Sequence, residues 1–156
     1  MKSALFLLLA LALTSTAWAA VPTGCVQLKN RYVSKYLASS SGHDADRRNV
    51  EHSSSPHTWV ITHATGEWYR IKHKKLDEEL FESVQHHKVF TWIKKAVIND
   101  GGADWKIYDS GTWGHYYIRN KKFDHCLYTD EWKTSVTSYG GCTEFSYEWE
   151  IKSVSC

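Results

Sequence analysis

Three stretches of the chain carry one order of apolar and polar positions. They are Leu28-Lys29-Asn30-Arg31-Tyr32-Val33-Ser34-Lys35-Tyr36-Leu37-Ala38, Ile71-Lys72-His73-Lys74-Lys75-Leu76-Asp77-Glu78-Glu79-Leu80-Phe81 and Ile118-Arg119-Asn120-Lys121-Lys122-Phe123-Asp124-His125-Cys126-Leu127-Tyr128. Each reads aliphatic, basic, Asn or His, basic, one further residue, apolar, three variable positions, Leu. The second and third stand at a constant offset of 47 residues and also share Lys-Lys and Asp. A second marker follows each stretch: Trp59-Val60-Ile61, Trp105-Lys106-Ile107 and Trp149-Glu150-Ile151, which begin 31, 34 and 31 residues after the leading aliphatic. Two independent markers in the same order, three times, imply a repeat of about 45 residues.

Within the middle repeat the pattern predicts short strands. Trp68 to Lys72 forms one, Lys74-Lys75-Leu76-Asp77 turns it, and Glu79 to Val84 forms a second. Gln85-His86-His87-Lys88 is a polar turn before a third strand, Val89 to Ile93, and Asn99-Asp100-Gly101-Gly102 is a turn before the Trp105 strand. Residues 84–98 also carry a helical pattern through Val89, Ile93 and Val97, so an amphipathic helix is the competing reading there. Four strands per unit give twelve in all. Three blades would not close a propeller, and no distinct end caps mark an open solenoid. A closed threefold arrangement removes exposed edges and lets the recurring Trp and aliphatic residues fill one core. The expected fold is therefore all-β, a β-trefoil of three pseudo-repeats of four strands, with repeats at about 25–66, 67–113 and 114–156. The Trp-x-Ile residues are read as core.

The first residues change the picture of compartment. Lys2, an apolar run from Ala4 to Leu13 and Ala17-Trp18-Ala19 have the order of a secretory signal peptide, expected over residues 1–19. Residues 20–156 are then expected to form a single extracellular domain, with no segment of the length a membrane crossing needs. Without Lys2, 18 basic side chains face 17 acidic ones, so the strongly basic footprint of a nucleic-acid binder is absent. Aromatic residues make up 14% of the chain, which favours strands. Four cysteines in an oxidising compartment point to two disulfides. In a threefold barrel the first and last strands are neighbours, which pairs Cys25 with Cys156. Cys126 and Cys142 then join across the hairpin of repeat three, where Gly140-Gly141 gives backbone freedom. No Cys-x-x-Cys or His-x-x-x-His spacing is present, and no metal or other cofactor is expected.

Cys126-Leu127 opening a strand, a second Cys 16 residues on and a Trp closing the repeat resemble the ricin-type lectin repeat. The terminal clip, the Trp-rich composition and the secreted size are more similar to the cysteine- and tryptophan-rich salivary proteins of mosquitoes, β-trefoils of sugar-binding character. There are departures. The lectin repeat ends in Gln-x-Trp, whereas here the triplets are His57-Thr58-Trp59, Ala103-Asp104-Trp105 and Tyr147-Glu148-Trp149. The lectin carboxylate follows Cys-Leu directly, and here Tyr128 holds that place. The resemblance implies a glycan or glycoprotein ligand. A sugar site needs a flat aromatic face and a carboxylate, and repeat three supplies Tyr139, Asp130 and Trp132 as candidates. Asp130 would share the strand face if the strand reached it. Repeat two offers Trp92 with Glu82. Repeat one has Asp44 and Asp46 but no aromatic residue nearby.

A second class of function is binding of a host protein or a sulfated polyanion such as heparin. Lys72, Lys74 and Lys75, then Arg119, Lys121 and Lys122, with Lys29 and Arg31, occupy equivalent turns and would ring one end of the barrel. An enzyme has little support: Ser39-Ser40-Ser41-Gly42-His43-Asp44 lies in a polar loop without a Gly-x-Ser-x-Gly elbow. The loop Ser53 to His57 carries no inhibitor signature. The sequence thus predicts a secreted, monomeric, non-enzymatic binding protein, with neither nucleic acid nor membrane insertion in its activity.

Overall fold

Strands of alternating apolar and polar residues must bury one face, and here twelve of them do so around a single axis. The computed structural model describes residues 20–84 and 88–156. The expected leader and Gln85 to His87 of the expected polar turn lie outside them. The strands are β1 (Gly24–Asn30), β2 (Tyr36–His43), β3 (Arg47–Ser53), β4 (Trp59–Thr65), β5 (Trp68–His73), β6 (Glu78–Glu82), β7 (Val89–Trp92), β8 (Trp105–Asp109), β9 (His115–Asn120), β10 (Cys126–Tyr128), β11 (Thr137–Tyr139) and β12 (Trp149–Ser153). A 3-10 turn, Phe145–Tyr147, precedes the last strand. The helical reading of residues 84–98 is not realised: Val89–Trp92 pairs as a strand with both β3 and β6.

Six strands close a ring. Antiparallel pairings run β1–β4, β4–β5, β5–β8, β8–β9, β9–β12 and back from β12 to β1. The hairpins β2–β3, β6–β7 and β10–β11 cover one end of that ring. They also contact one another, through β3–β7 and the isolated bridges Lys88 to Thr137 and Glu51 to Ser135. This is the β-trefoil, and closure leaves the barrel without a free edge.

The core explains both sequence markers. Trp59, Trp105 and Trp149 are fully buried, as are Leu37, Leu80 and Leu127. Each indole nitrogen donates to the backbone carbonyl of the Leu in its own repeat: Trp59 to Leu37 at 2.9 Å, Trp105 to Leu80 at 3.0 Å, Trp149 to Leu127 at 3.0 Å. A buried indole N–H needs such a partner, and the Leu carbonyl supplies it one residue beyond the end of the cap strand's pairing with the barrel strand. The triplet's Ile and the leading aliphatic residue (Leu28, Ile71, Ile118) fill the same cluster. Cys25 joins Cys156 with Cα atoms 5.3 Å apart, and Cys126 joins Cys142 at 5.6 Å. Closing loops of 131 and 16 residues stabilises the fold by roughly 5 and 3 kcal/mol in the chain-entropy description.

Candidate functional site

The three repeats share a backbone but differ at the residue after the buried Leu, which is Ala38, Phe81 or Tyr128. That difference decides how each hairpin is packed.

In repeat two the position is sealed. Phe81 stacks on Phe90 with ring centres 5.6 Å apart, and Trp92 lies 6.2 Å and 6.1 Å from the two rings. Ala103 and Ile98 complete this second apolar cluster. Gly102 lies against it: a Cβ there would stand 2.3 Å from the Phe81 ring, so only glycine fits. Trp92 therefore belongs to a packed cluster, not to an open platform. Its cross-strand carboxylate is Glu79, held by Arg70 at 3.1 Å, and not Glu82. Glu82 pairs in register with Val89, is 1% exposed and accepts from His125 Nδ1 at 2.6 Å. The sequence-based pairing of Trp92 with Glu82 fails because the hairpin register sets them three residues apart.

Repeat one has no aromatic residue in the place of Tyr128. Its Asp44 caps its own turn, accepting from the backbone N–H of Asp46 and Arg47 at 2.8 and 2.7 Å, and those bonds lower its carboxyl pKa. Asp46 pairs with Lys94.

Repeat three is open. Tyr128 and Tyr139 meet edge to face with centres 5.2 Å apart, and Tyr147 lies 4.9 Å from Tyr128 on the other side. Tyr147 is buried and donates its hydroxyl to the Gly140 carbonyl at 3.0 Å, which anchors the cluster beside the Cys126–Cys142 bridge. Asp130 sits in the loop after β10, which ends at Tyr128, so it is a loop residue and not part of the strand face. Its Oδ1 accepts from the backbone N–H of Trp132 and Lys133 at 2.9 and 3.0 Å, and its Oδ2 from the Tyr128 hydroxyl at 3.3 Å. Burial, and then the Asp130 charge, push the Tyr128 phenol up to about 12. The turn that Asp130 closes holds Trp132 out in solvent, 84% exposed, and Tyr139 is 39% exposed. The hairpin partner of Tyr139 is Cys126, so Trp132 and Tyr139 are not a cross-strand pair. The result is a surface that carries two exposed aromatic side chains, Trp132 and Tyr139, and a carboxylate fixed by its own turn.

Sequence reasoning named Asp130, Trp132 and Tyr139 but passed over Tyr128 and Tyr147. Tyr128 was visible only as a departure from the lectin pattern, and it now links Asp130 to Tyr139. Tyr147 reaches the cluster through the 3-10 turn, which no local pattern announced.

The basic residues are largely engaged. Lys72 pairs with Asp77 at 3.1 Å and Arg119 with Asp124 at 2.5 Å, equivalent pairs that clamp equivalent turns. Lys121 reaches Asp104 at 3.6 Å and Lys122 pairs with Asp100. Arg31 donates to Glu148 at 2.7 Å. Lys74 and Lys75 have no ion pair among the described residues. A groove of about 340 Å³ runs beside Lys72 and Lys74, but Asp77 and Glu79 line it as well.

No protein-family model matches the chain, and no curated protein matches it. Among solved structures it is similar to a salivary protein of the CWRC family from Culex quinquefasciatus, with 50% identity, a TM-score of 0.84 and coverage of 87% of this chain and 97% of that one. A second Culex quinquefasciatus salivary protein of that family is 26% identical, with a TM-score of 0.73, covering 87% and 96% of the two chains. The designed threefold-symmetric protein ThreeFoil shares the fold at 16% identity, a TM-score of 0.73 and coverage of 84% and 99%. With half of the aligned residues identical along nearly the full length of the first of these, the chain belongs to the Cysteine and Tryptophan-Rich (CWRC) family.

Proposed function

We propose that this protein is a secreted, non-enzymatic binding protein that recognises a glycan through repeat three. The observation that carries the reading is the Tyr128–Asp130–Tyr139 arrangement with Trp132 held in solvent beside it. Sugars present C–H faces that lie on aromatic rings and hydroxyls that donate to carboxylate oxygens, and this surface has both within one hairpin and its loop. Asp130 Oδ2 accepts one bond from Tyr128 and retains capacity for a sugar hydroxyl. β-Trefoils solved with glycans include SeviL with an asialo-GM1 saccharide and the Polyporus squamosus lectin with a sialylated epitope. Membership of a salivary family and two disulfides support secretion.

A single site of this kind binds weakly, so the ligand is a glycan displayed in several copies on a glycoprotein or cell surface. The sulfated-polymer reading draws less support, because four of its six candidate basic side chains already hold carboxylates. The test is a glycan array followed by titration of the strongest glycan. Trp132→Ala and Tyr139→Ala are each expected to weaken binding about tenfold, the loss of roughly 1.4 kcal/mol of aromatic contact. Unchanged affinity in both variants would remove the site.

A further inference from the structure

Most carboxylates among the described residues pair with a basic neighbour, and three of the six that do not lie together at the repeat-three site. Arginine, lysine or histidine side chains hold Asp44, Asp46, Glu67, Asp77, Glu78, Glu79, Glu82, Asp100, Asp104, Asp124 and Glu148. Asp130, Glu131 and Glu144 have no such cation among the described residues; nor do Glu51, Asp109 and Glu150, which lie on the separate strands β3, β8 and β12. Glu131 and Glu144 are exposed. They flank the tyrosine cluster from two directions: Glu131 follows Asp130 in the loop, and Glu144 precedes the 3-10 turn that delivers Tyr147.

The tyrosines register this field. Glu131 raises the pKa of Tyr32, which reaches this face from repeat one, by its charge and by a hydrogen bond, and Asp130 adds to it. At Tyr128, burial acts first, then Asp130, with Glu144 adding to the rise. Burial and then Glu144 raise Tyr147. The cations of this side do not cancel it. Arg31 is committed to Glu148 and lies over the Phe145 ring at 3.9 Å. Lys133 is exposed in the Asp130 turn, and the charge of Lys35 is felt by the buried His52.

We infer that the repeat-three site selects neutral glycans and rejects sialylated or sulfated ones, with Glu131 and Glu144 as the residues that set this preference. The inference rests on the glycan reading of the site. A carboxylate or sulfate on the ligand would stand near three like charges, with Lys133 as the opposing charge in the same loop. In water a like charge about 7 Å away weakens binding about threefold at low salt, so the combined effect is about five- to tenfold. Added salt screens it.

The experiment uses matched pairs: a neutral glycan that the protein binds on an array, and the same glycan bearing one sialic acid or one sulfate. The full-length mature protein is titrated with each at low and at high salt. The neutral member is expected to bind about five- to tenfold tighter at low salt, with the gap narrowing as salt rises. Glu131→Gln combined with Glu144→Gln should bring the two members within about twofold and leave the neutral affinity unchanged, with thermal melting reporting that the variant is folded. Equal or tighter binding of the acidic members by the wild type would overturn the inference and leave the glycan reading standing. So would an undiminished gap in the double variant. Binding to no member of any pair would overturn the glycan reading itself and this inference with it.

Discussion

At the scale of single residues, the position read as Asn or His in each repeat proves to be a buried staple. Asn30 donates from Nδ2 to the Ser146 carbonyl at 2.9 Å and accepts at Oδ1 from the backbone N–H of Tyr32 and Val33. Asn120 does the same with the Gly102 carbonyl and the N–H groups of Lys122 and Phe123. His73 fills the role in repeat two with a ring. Its Nδ1 accepts from the N–H of Leu76 at 3.2 Å, so its Nε2 carries the proton and donates to His57 Nδ1 at 3.0 Å. His57 Nδ1 also accepts from the N–H of Ser39. A proton on either Nδ1 would face a donor, and burial pushes the His73 pKa down to about 4, with His57 adding to the effect. The unfolded chain therefore takes up a proton below about pH 6.5 that the folded protein refuses until about pH 4. Stability falls as the pH drops through that window, by about 3 kcal/mol for this residue. Urea denaturation at pH 7 and pH 4.5 checks it. His73→Asn, which installs the residue of the other two repeats, should fold and lose much of that pH dependence; an unchanged dependence would assign it elsewhere. The polar character of this position was legible in the aligned repeats. Its burial was not, because the partners that cover it lie outside the repeated stretch: residues 146 and 148 for Asn30, Gly102 for Asn120 and His57 for His73.

At the scale of elements, what the sequence revealed best was whatever repeats. The Leu and the Trp-x-Ile triplet recur because the indole of the repeat's last strand ties the carbonyl of its second. Trp105→Phe keeps an apolar ring but leaves the Leu80 carbonyl without its donor in a fully buried place. The expected cost is roughly 2–4 kcal/mol by urea denaturation. Trp113→Phe, at a residue 96% exposed in the β8–β9 turn, should cost less than about 0.5 kcal/mol. Similar losses at both positions would contradict the role given to the triplet. What does not repeat was harder to read. The Phe81–Phe90–Trp92 cluster and the tyrosine cluster of repeat three occupy equivalent places with different chemistry. Trp92 looked like a platform residue because composition alone does not distinguish an open ring from one packed against two phenylalanines.

At the scale of the whole molecule, a symmetric frame carries an asymmetric surface. The ring of six strands, the three cap hairpins and the clip between Cys25 and Cys156 make the backbone of each repeat interchangeable. Repeat two spends its hairpin on a second apolar cluster, repeat one presents a polar loop, and repeat three keeps exposed aromatic residues around Asp130. The threefold order was legible because core residues recur with the fold. The single specialised face depends on which side chains fail to recur, and on contacts such as Tyr128 with Tyr147 that join β10 to the turn before β12. One repeat, not three, is therefore the candidate for binding. A crystal structure of the protein soaked with its strongest-binding neutral glycan tests this most directly. The account predicts sugar density over Tyr139 and Trp132 with a hydroxyl at Asp130 Oδ2; density at repeat one or at the Phe81–Trp92 cluster, with repeat three empty, would contradict it.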